Sequence, residues 1–212
     1  MSADVEITHA LLELGAATLG ESGARAMRAR IHAAWPGARL AAPAFPVRCT
    51  PGDNLGIHVA VARAQAGDAL VVDVGDFREL GYWGEVLTTG AQARGLAGLV
   101  IDGGVRDITE IQAHGFPVFS TMIALRGAGK TRGGTVRAPI QCGGVLVESG
   151  DWVVGDSDGV VVVPGATIAD VINAGRVRAA KEAGMFRALW EGKTTLELLD
   201  LDPAPIQEGD AG

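Results

Sequence analysis

The sequence predicts an α/β fold built around parallel strands, and two observations carry that prediction. Between residues 69 and 119, strand-like and helix-like runs alternate with short links. The strands of that stretch carry continuous apolar runs, as in the ALVV of strand 69–74, and a strand buried on both faces does not alternate. Composition agrees: of 212 residues, 48% are hydrophobic and 20% charged, enough apolar surface for a large core and too much for wholesale disorder.

The elements follow in order. Residues 5–19 have helical apolar spacing. Residues 22–34 read as a second helix, from Ser22 as an N-cap to His32 before the Pro36-Gly37 break. FPVRC (45–49) is strand-like. Pro51-Gly52-Asp53-Asn54 is turn chemistry, and 55–65 reads as a helix with Leu55, Val59 and Ala62 on one face. Strand 69–74 leads through a loop to Gly84. A helix over 84–94 stops at Gly95, strand 97–102 follows, and a short helix at 107–114 precedes strand 117–119. Then the character changes. Residues 139–147, 151–154 and 158–164 are short strands separated by Gly/Asp turns, which predicts a β layer. Asp156 and Asp158 read as turn residues there. Residues 166–190 form a long helix with Ile168, Val171, Ile172 and Val177 apolar, ending near Gly192. The tail 200–212, rich in Pro, Asp, Glu and Gly, reads as frayed. No compositional shift marks a boundary, so 1–212 reads as one domain.

Charge narrows the function. The net charge is -7 and no Lys/Arg run is present, which argues against nucleic acid as a partner. An acidic substrate would need a local cationic anchor. No stretch of 18 apolar residues suggests a membrane span, and MSADVEITHALLELG has no basic leader region. Cys49 and Cys142 form no CxxC or metal pattern and read as buried reduced thiols. Together these features predict a cytoplasmic protein. Gly127-Ala128-Gly129-Lys130-Thr131 looks like a phosphate loop by eye, but Ala124 stands where its first glycine belongs. His9, His32 and His114 are scattered and read as surface or capping residues.

One stretch holds a candidate site. GLVIDGGVRDITE (98–110) is a buried strand followed by Arg106-Asp107. Gly84-Glu85-Val86-Leu87 opens a helix whose first N–H groups are unpaired and carry the positive end of the dipole. A carboxylate fits such an end, and Gly84 keeps the approach open. Arg106 can hold a carboxylate with two parallel hydrogen bonds. Asp107, Asp102 and Glu85 offer the hard oxygen ligands that suit Mg²⁺ or Mn²⁺. In open α/β sheets, ligands bind at the carboxyl ends of strands. The plainer reading is a strand-end salt bridge, with Glu85 a helix N-terminal acid. Glu110 reads as a helix-stabilising acid, and Trp83 as a wall of the pocket. Trp152 and Trp190 read as core or interface.

GEVL (84–87), the twenty residues from Glu85 to Arg106-Asp107, PGDNLGIHVA (51–60), GYWGEVLTTGAQARG (81–95), GFPVF (115–119) and CGGVLVESGDWVVGDSDGVVVVP (142–164) resemble one family over roughly residues 15–195. It comprises the 4-hydroxy-4-methyl-2-oxoglutarate / 4-carboxy-4-hydroxy-2-oxoadipate aldolases, class II pyruvate aldolases that share the fold of the regulator of ribonuclease activity A. The resemblance implies a layered β/β/α swivelling-type α/β domain with a C-terminal helix. It implies a lyase that cleaves a 4-hydroxy-2-oxo acid to pyruvate plus a 2-oxo acid and also decarboxylates oxaloacetate. It implies that Arg106 binds the pyruvyl carboxylate with the backbone of Gly84, Val86 and Leu87. Asp107 would ligate Mg²⁺ or Mn²⁺ directly. Glu85 would hold metal-bound water, and so would Glu182 from a neighbouring subunit of a trimer or hexamer. His58 and Lys130 fall at matching positions near the pocket, His58 as a substrate-binding residue. No histidine stands in the signature, so a metal-bound or acid-held water is the expected proton relay. The alternative is a non-catalytic regulator of ribonuclease activity that acts by binding a protein.

Overall fold

The computed structural model describes residues 3–207. In chain order it contains α1 (Ala3–Gly20), β1 (Arg25–Ala26), β2 (His32–Ala33), β3 (Leu40–Cys49), α2 (Leu55–Arg63), β4 (Ala69–Asp73) and β5 (Gly81–Trp83). There follow α3 (Glu85–Ala93), β6 (Gly98–Asp102), β7 (Gly104–Val105), α4 (Ile108–Ala113), β8 (Val118–Ser120), β9 (Met122–Ile123) and β10 (Gly134–Val136). The chain continues with β11 (Ile140–Cys142), β12 (Val145–Val147), β13 (Trp152–Asp156), β14 (Gly159–Val163), α5 (Ile168–Trp190) and α6 (Thr195–Leu199).

Among the described residues nine strands form the main sheet, in the order β1-β14-β13-β3-β4-β6-β8-β2, with β10 laid on β3. The block β3-β4-β6-β8 is parallel. The central residues of its strands are apolar on both faces because both faces are covered. Leu70, Val72, Leu99 and Ile101 pack under Ile57, Leu87 and Ile111 of α2, α3 and α4. Val71 and Val100 face Met27, Ile31 and the β11-β12 hairpin on the other side. Each fully buried Val, Leu or Ile stabilises the fold by about 1.5–3 kcal/mol. The antiparallel wing β13-β14-β1 is covered by α1 and the first two turns of α5, through Leu11, Leu19, Val171 and Ile172. This is the expected α/β class, with a β layer on one side of the sheet and helices on the other.

Three sequence expectations change. Residues 22–34 are not a helix. The Ser22 hydroxyl donates to Thr18 O, which finishes α1 instead of capping a new helix. Arg25 then pairs with Asp151 and Arg30 with Asp102. Met27 and Ile31 still reach the core, but from an extended segment. Pairing across the sheet outweighs the local helical spacing. The strand expected at 45–49 runs from Leu40, through Pro43 and Pro46. On one side β3 pairs with β13 up to Pro43 and with β10 from Val47, so Pro46 sits in the gap between two neighbours and no ladder bond on that side is lost. The third change is α1, which bends at Gly15 (φ 75°). Asp156 Oδ2 accepts from Ala16 N at 2.7 Å and holds that bend, while its Oδ1 accepts from Asp158 N at 3.0 Å and shapes its own turn as expected.

The helix expected at 166–190 is α5, led by a 3-10 turn over Gly165–Thr167. Beyond Gly175 it has no buried residue, and Val177, Phe186 and Trp190 are exposed. Trp152 is buried, whereas Trp190 is 90% exposed and so is not part of this chain's core. Of the tail predicted to fray, residues 208–212 lie outside the described residues. Cys49 and Cys142 are free and buried; burial pushes the Cys49 thiol up to about 12 and the Cys142 thiol upward as well. No described helix is long and apolar enough to cross a membrane.

Candidate functional site

The carboxyl ends of β4 and β6 open onto a second, small parallel sheet, β5-β7-β9, that the sequence did not signal. Its strands are two or three residues long, below the reach of any periodicity. It places the site. Arg106 N donates to Trp83 O at 2.9 Å, which sets Arg106 beside the start of α3. The stem of Arg106 then lies on two glycines. A β carbon at Gly81 would stand 3.0 Å from Arg106 Cδ, and one at Gly84 would stand 2.3 Å from Asp107 Oδ2.

Asp107 adopts a left-handed backbone (φ 56°, ψ 44°) at the N-terminus of α4. It does not cap α4. Its Oδ2 accepts from Glu85 N, the first amide of α3, at 3.0 Å, and lies 3.7 Å from Arg106 Nε. Helix geometry leaves the next two amides, of Val86 and Leu87, without a helical acceptor. Arg106 and Asp107 are both part-exposed, with side chains 44% and 38% accessible.

These groups line a cavity of about 160 Å³ together with Asn54, His58, Tyr82, Trp83, Ala128 and Lys130. Trp83 forms its wall as expected, held by its Nε1 donating to Thr88 Oγ1 at 2.7 Å and by stacking on Phe116. The roof is the loop 127–132. Asp53 clamps it: its carboxylate accepts from Leu55, Thr131 and Arg132 backbone N–H groups at 2.9, 2.7 and 3.0 Å. Burial alone would raise the Asp53 carboxyl, but these three donors hold it below the usual carboxylate range. The phosphate-loop look-alike has its amides engaged inside the fold: Thr131 N donates to Asp53 and Gly129 N donates to Gly52 O.

The remaining sequence candidates separate. Glu85 stands beside the cavity, and its Oε1 faces His114 Nε2 at 3.6 Å. His114, read as a surface residue, is therefore a neighbour of Glu85. Glu110 is exposed and away from the cavity. Glu182 sits on α5 in a pair with Arg178 at 2.9 Å, and Arg178 also pairs with Glu21. One chain does not bring Glu182 to the cavity. Asp102 is not a free oxygen ligand: it is 3% exposed, takes a forked pair of bonds from Arg30 at 2.9 and 2.6 Å, and a further one from Arg78 at 3.0 Å. In the sequence Asp53 and Asn54 read only as turn residues. Nothing in the local pattern separates a turn Asn from a cavity Asn.

Among the described residues no three His, Cys, Asp or Glu side chains cluster to hold a metal. The available set is Asp107, with one carboxylate oxygen outside the Glu85 bond, and the half-exposed Glu85. It suits a hard cation that keeps most of its waters and takes one or two carboxylates, the habit of Mg²⁺.

A family model for "RraA-like: Aldolase/RraA" matches residues 8–162. The chain belongs to the RraA-like family. A relative from Halalkalibacterium halodurans, named "Putative 4-hydroxy-4-methyl-2-oxoglutarate aldolase", is 34% identical over 151 residues, 71% of this chain and 72% of its own length. An uncharacterized protein from Pseudomonas syringae has a crystal structure matching with TM-score 0.82 at 26% identity over 92% of each chain. The RNA-processing inhibitor RraA from Thermus thermophilis matches with TM-score 0.62 at 26% identity, over 67% of this chain and 86% of that one. The RraA-like family thus carries both names, an aldolase and an RNA-processing inhibitor, on one fold, and fold alone does not choose between them.

Proposed function

We propose that this RraA-like chain is a divalent-cation-dependent carbon–carbon lyase. It cleaves a 4-hydroxy-2-oxo acid to pyruvate plus a 2-oxo acid, and it decarboxylates oxaloacetate through the same pyruvate enolate. The observation that carries this reading is the meeting of Arg106, the open amides of Val86 and Leu87, and the Asp107 carboxylate at one small cavity.

Each part has a task. The planar guanidinium of Arg106 grips the pyruvyl carboxylate in a fork, and the two amides and the α3 dipole add to that grip. This holds the scissile carbon–carbon bond in one orientation. Tyr82, Trp83 and Leu87 make the wall apolar and limit water. Lys130 on the same wall offers a second cation to a carboxylate on the distal half. Asp107 directly, and Glu85 and a neighbouring copy's Glu182 through water, would hold a cation of the Mg²⁺ or Mn²⁺ class. When bound, it supplies Lewis acidity toward the 2-oxo group. Because Glu182 stands away from its own cavity, this role for it requires a trimer or hexamer as the working form.

The test couples pyruvate formation to lactate dehydrogenase, with 4-hydroxy-4-methyl-2-oxoglutarate and with oxaloacetate, in Mg²⁺ and after EDTA. Metal-dependent pyruvate that disappears in Arg106→Ala is expected. Unchanged pyruvate release by Arg106→Ala would sink the assignment. A second reading, a regulator that docks on a partner protein, is favoured by the likeness to the Thermus RNA-processing inhibitor. Absence of metal-dependent pyruvate from either acid would select it.

A further inference from the structure

As the carbon–carbon bond breaks, the proton of the C4 hydroxyl must leave, and the cavity offers a side chain for that step in place of the water relay expected from the sequence. The cavity that Arg106 lines also has two atoms the rest of the fold does not use. Asn54 is 4% exposed, and its Oδ1 is buried with no hydrogen-bond partner among the described residues. Its polarity is set by its other end, because Nδ2 donates to Tyr82 O at 2.8 Å and only the amide nitrogen can do so. The atom left over is therefore an acceptor. One helical turn on, His58 Nε2 is also buried without a partner. Both residues line the cavity that holds Arg106 and Asp107.

In the Nδ1–H tautomer the His58 ring presents Nε2 as a second acceptor. This wall then matches a ligand group that donates. With its carboxylates ionised, a 4-hydroxy-2-oxo acid has one donor, the C4 hydroxyl. Of the two wall atoms, only the imidazole nitrogen can take a proton outright. We infer that His58 Nε2 is the acceptor of the C4 hydroxyl proton and that Asn54 is a positioning residue beside it. This rests on the lyase reading of the site. In the step, the O–H bond breaks and its proton passes to Nε2. The oxygen's electron pair becomes the new carbonyl of the leaving 2-oxo acid. The C3–C4 bond pair moves onto the pyruvyl half as the enolate, which regains a proton at C3 to give pyruvate. The proton balance closes with no further reactant.

The surroundings keep His58 ready for this. Burial is the main influence that pulls its pKa below the ordinary histidine value; Lys130 adds to it and Asp53 opposes it. The ring is thus uncharged at neutral pH. Arg106 and Asp107 are the other charged groups on the cavity.

Oxaloacetate separates this proposal from its parent, since its decarboxylation removes no hydroxyl proton. In His58→Gln, cleavage of 4-hydroxy-4-methyl-2-oxoglutarate should fall by about 100-fold or more relative to oxaloacetate decarboxylation, the usual range for a lost general base. Equal losses on both substrates, or none, overturn it. The unmodified protein offers a check free of folding effects. Its kcat/KM for the hydroxy acid should drop in acid through one protonation below the ordinary histidine range, and the oxaloacetate profile should lack that limb. Parallel profiles overturn the inference while the lyase stands. No metal-dependent pyruvate from either acid in the unmodified protein overturns both.

Discussion

Two aspartates five residues apart show how one short segment serves two purposes. Asp102 closes β6 and Asp107 opens α4. Asp102 is buried and saturated by Arg30, Arg78 and the Gly143 amide. Asp107 is part-exposed, sits on a left-handed backbone, and has one recorded acceptor bond, from Glu85 N. Both were sequence candidates for oxygen ligation, and both have an arginine near. What separates them is unsatisfied capacity. A carboxylate whose lone pairs are all matched inside the fold holds the fold together. One left half-open at a cavity mouth, in a conformation an L-residue rarely takes, can meet a ligand.

That contrast can be broken experimentally. Asp102→Ala should give the largest effect. It leaves Arg30 and Arg78 facing a buried gap and should cost about 3 kcal/mol of stability, read as a lower urea midpoint. Gly84→Ala comes next and acts on the other aspartate. The extended backbone there tolerates alanine, but the new methyl collides with Asp107 Oδ2. Pyruvate formation should fall about 100-fold, equivalent to about 2.7 kcal/mol, with stability held within about 1 kcal/mol.

Acid probes the same difference more gently. Burial would raise the Asp102 carboxyl, but Arg30 and Arg78 outweigh it and hold its pKa below the usual range. Its contribution is therefore fully present above the unfolded value of about 3.9 and is lost as pH falls through the lower folded value. The stability gap between the unmodified protein and Asp102→Asn should shrink below about pH 4. A gap that stays constant in urea titrations between neutral pH and pH 3 would contradict the pairing. The smallest effect on stability belongs to Asp107→Gly. Glycine suits φ 56°, so stability should change by less than about 1 kcal/mol while pyruvate release is lost. A large destabilisation would place Asp107 with Asp102 as a structural acid.

Much of the central unit was legible because its signals are local. Strands 69–73 and 98–102 are apolar up to a closing aspartate, the N-cap of α3 is a glycine, and Arg106-Asp107 follows a buried strand. Residues 22–34 were misread because Met27 and Ile31 have helical spacing while the ion pairs to Asp102 and Asp151 that extend the segment come from 72 and 126 residues away. The β5-β7-β9 sheet was invisible for a different reason: strands this short owe their pairing to neighbours, not to pattern.

By itself the sequence determined the α/β class, the buried parallel strands and the place where Arg106 and Asp107 emerge. It did so because apolar runs, turn glycines and strand ends are written residue by residue. Only the tertiary structure decided which acid is occupied. It also turned Asn54 from a turn residue into a fixed acceptor on the cavity wall, and brought His58 beside it. Those outcomes depend on which distant donors arrive to satisfy each polar atom, and one-dimensional spacing does not record that.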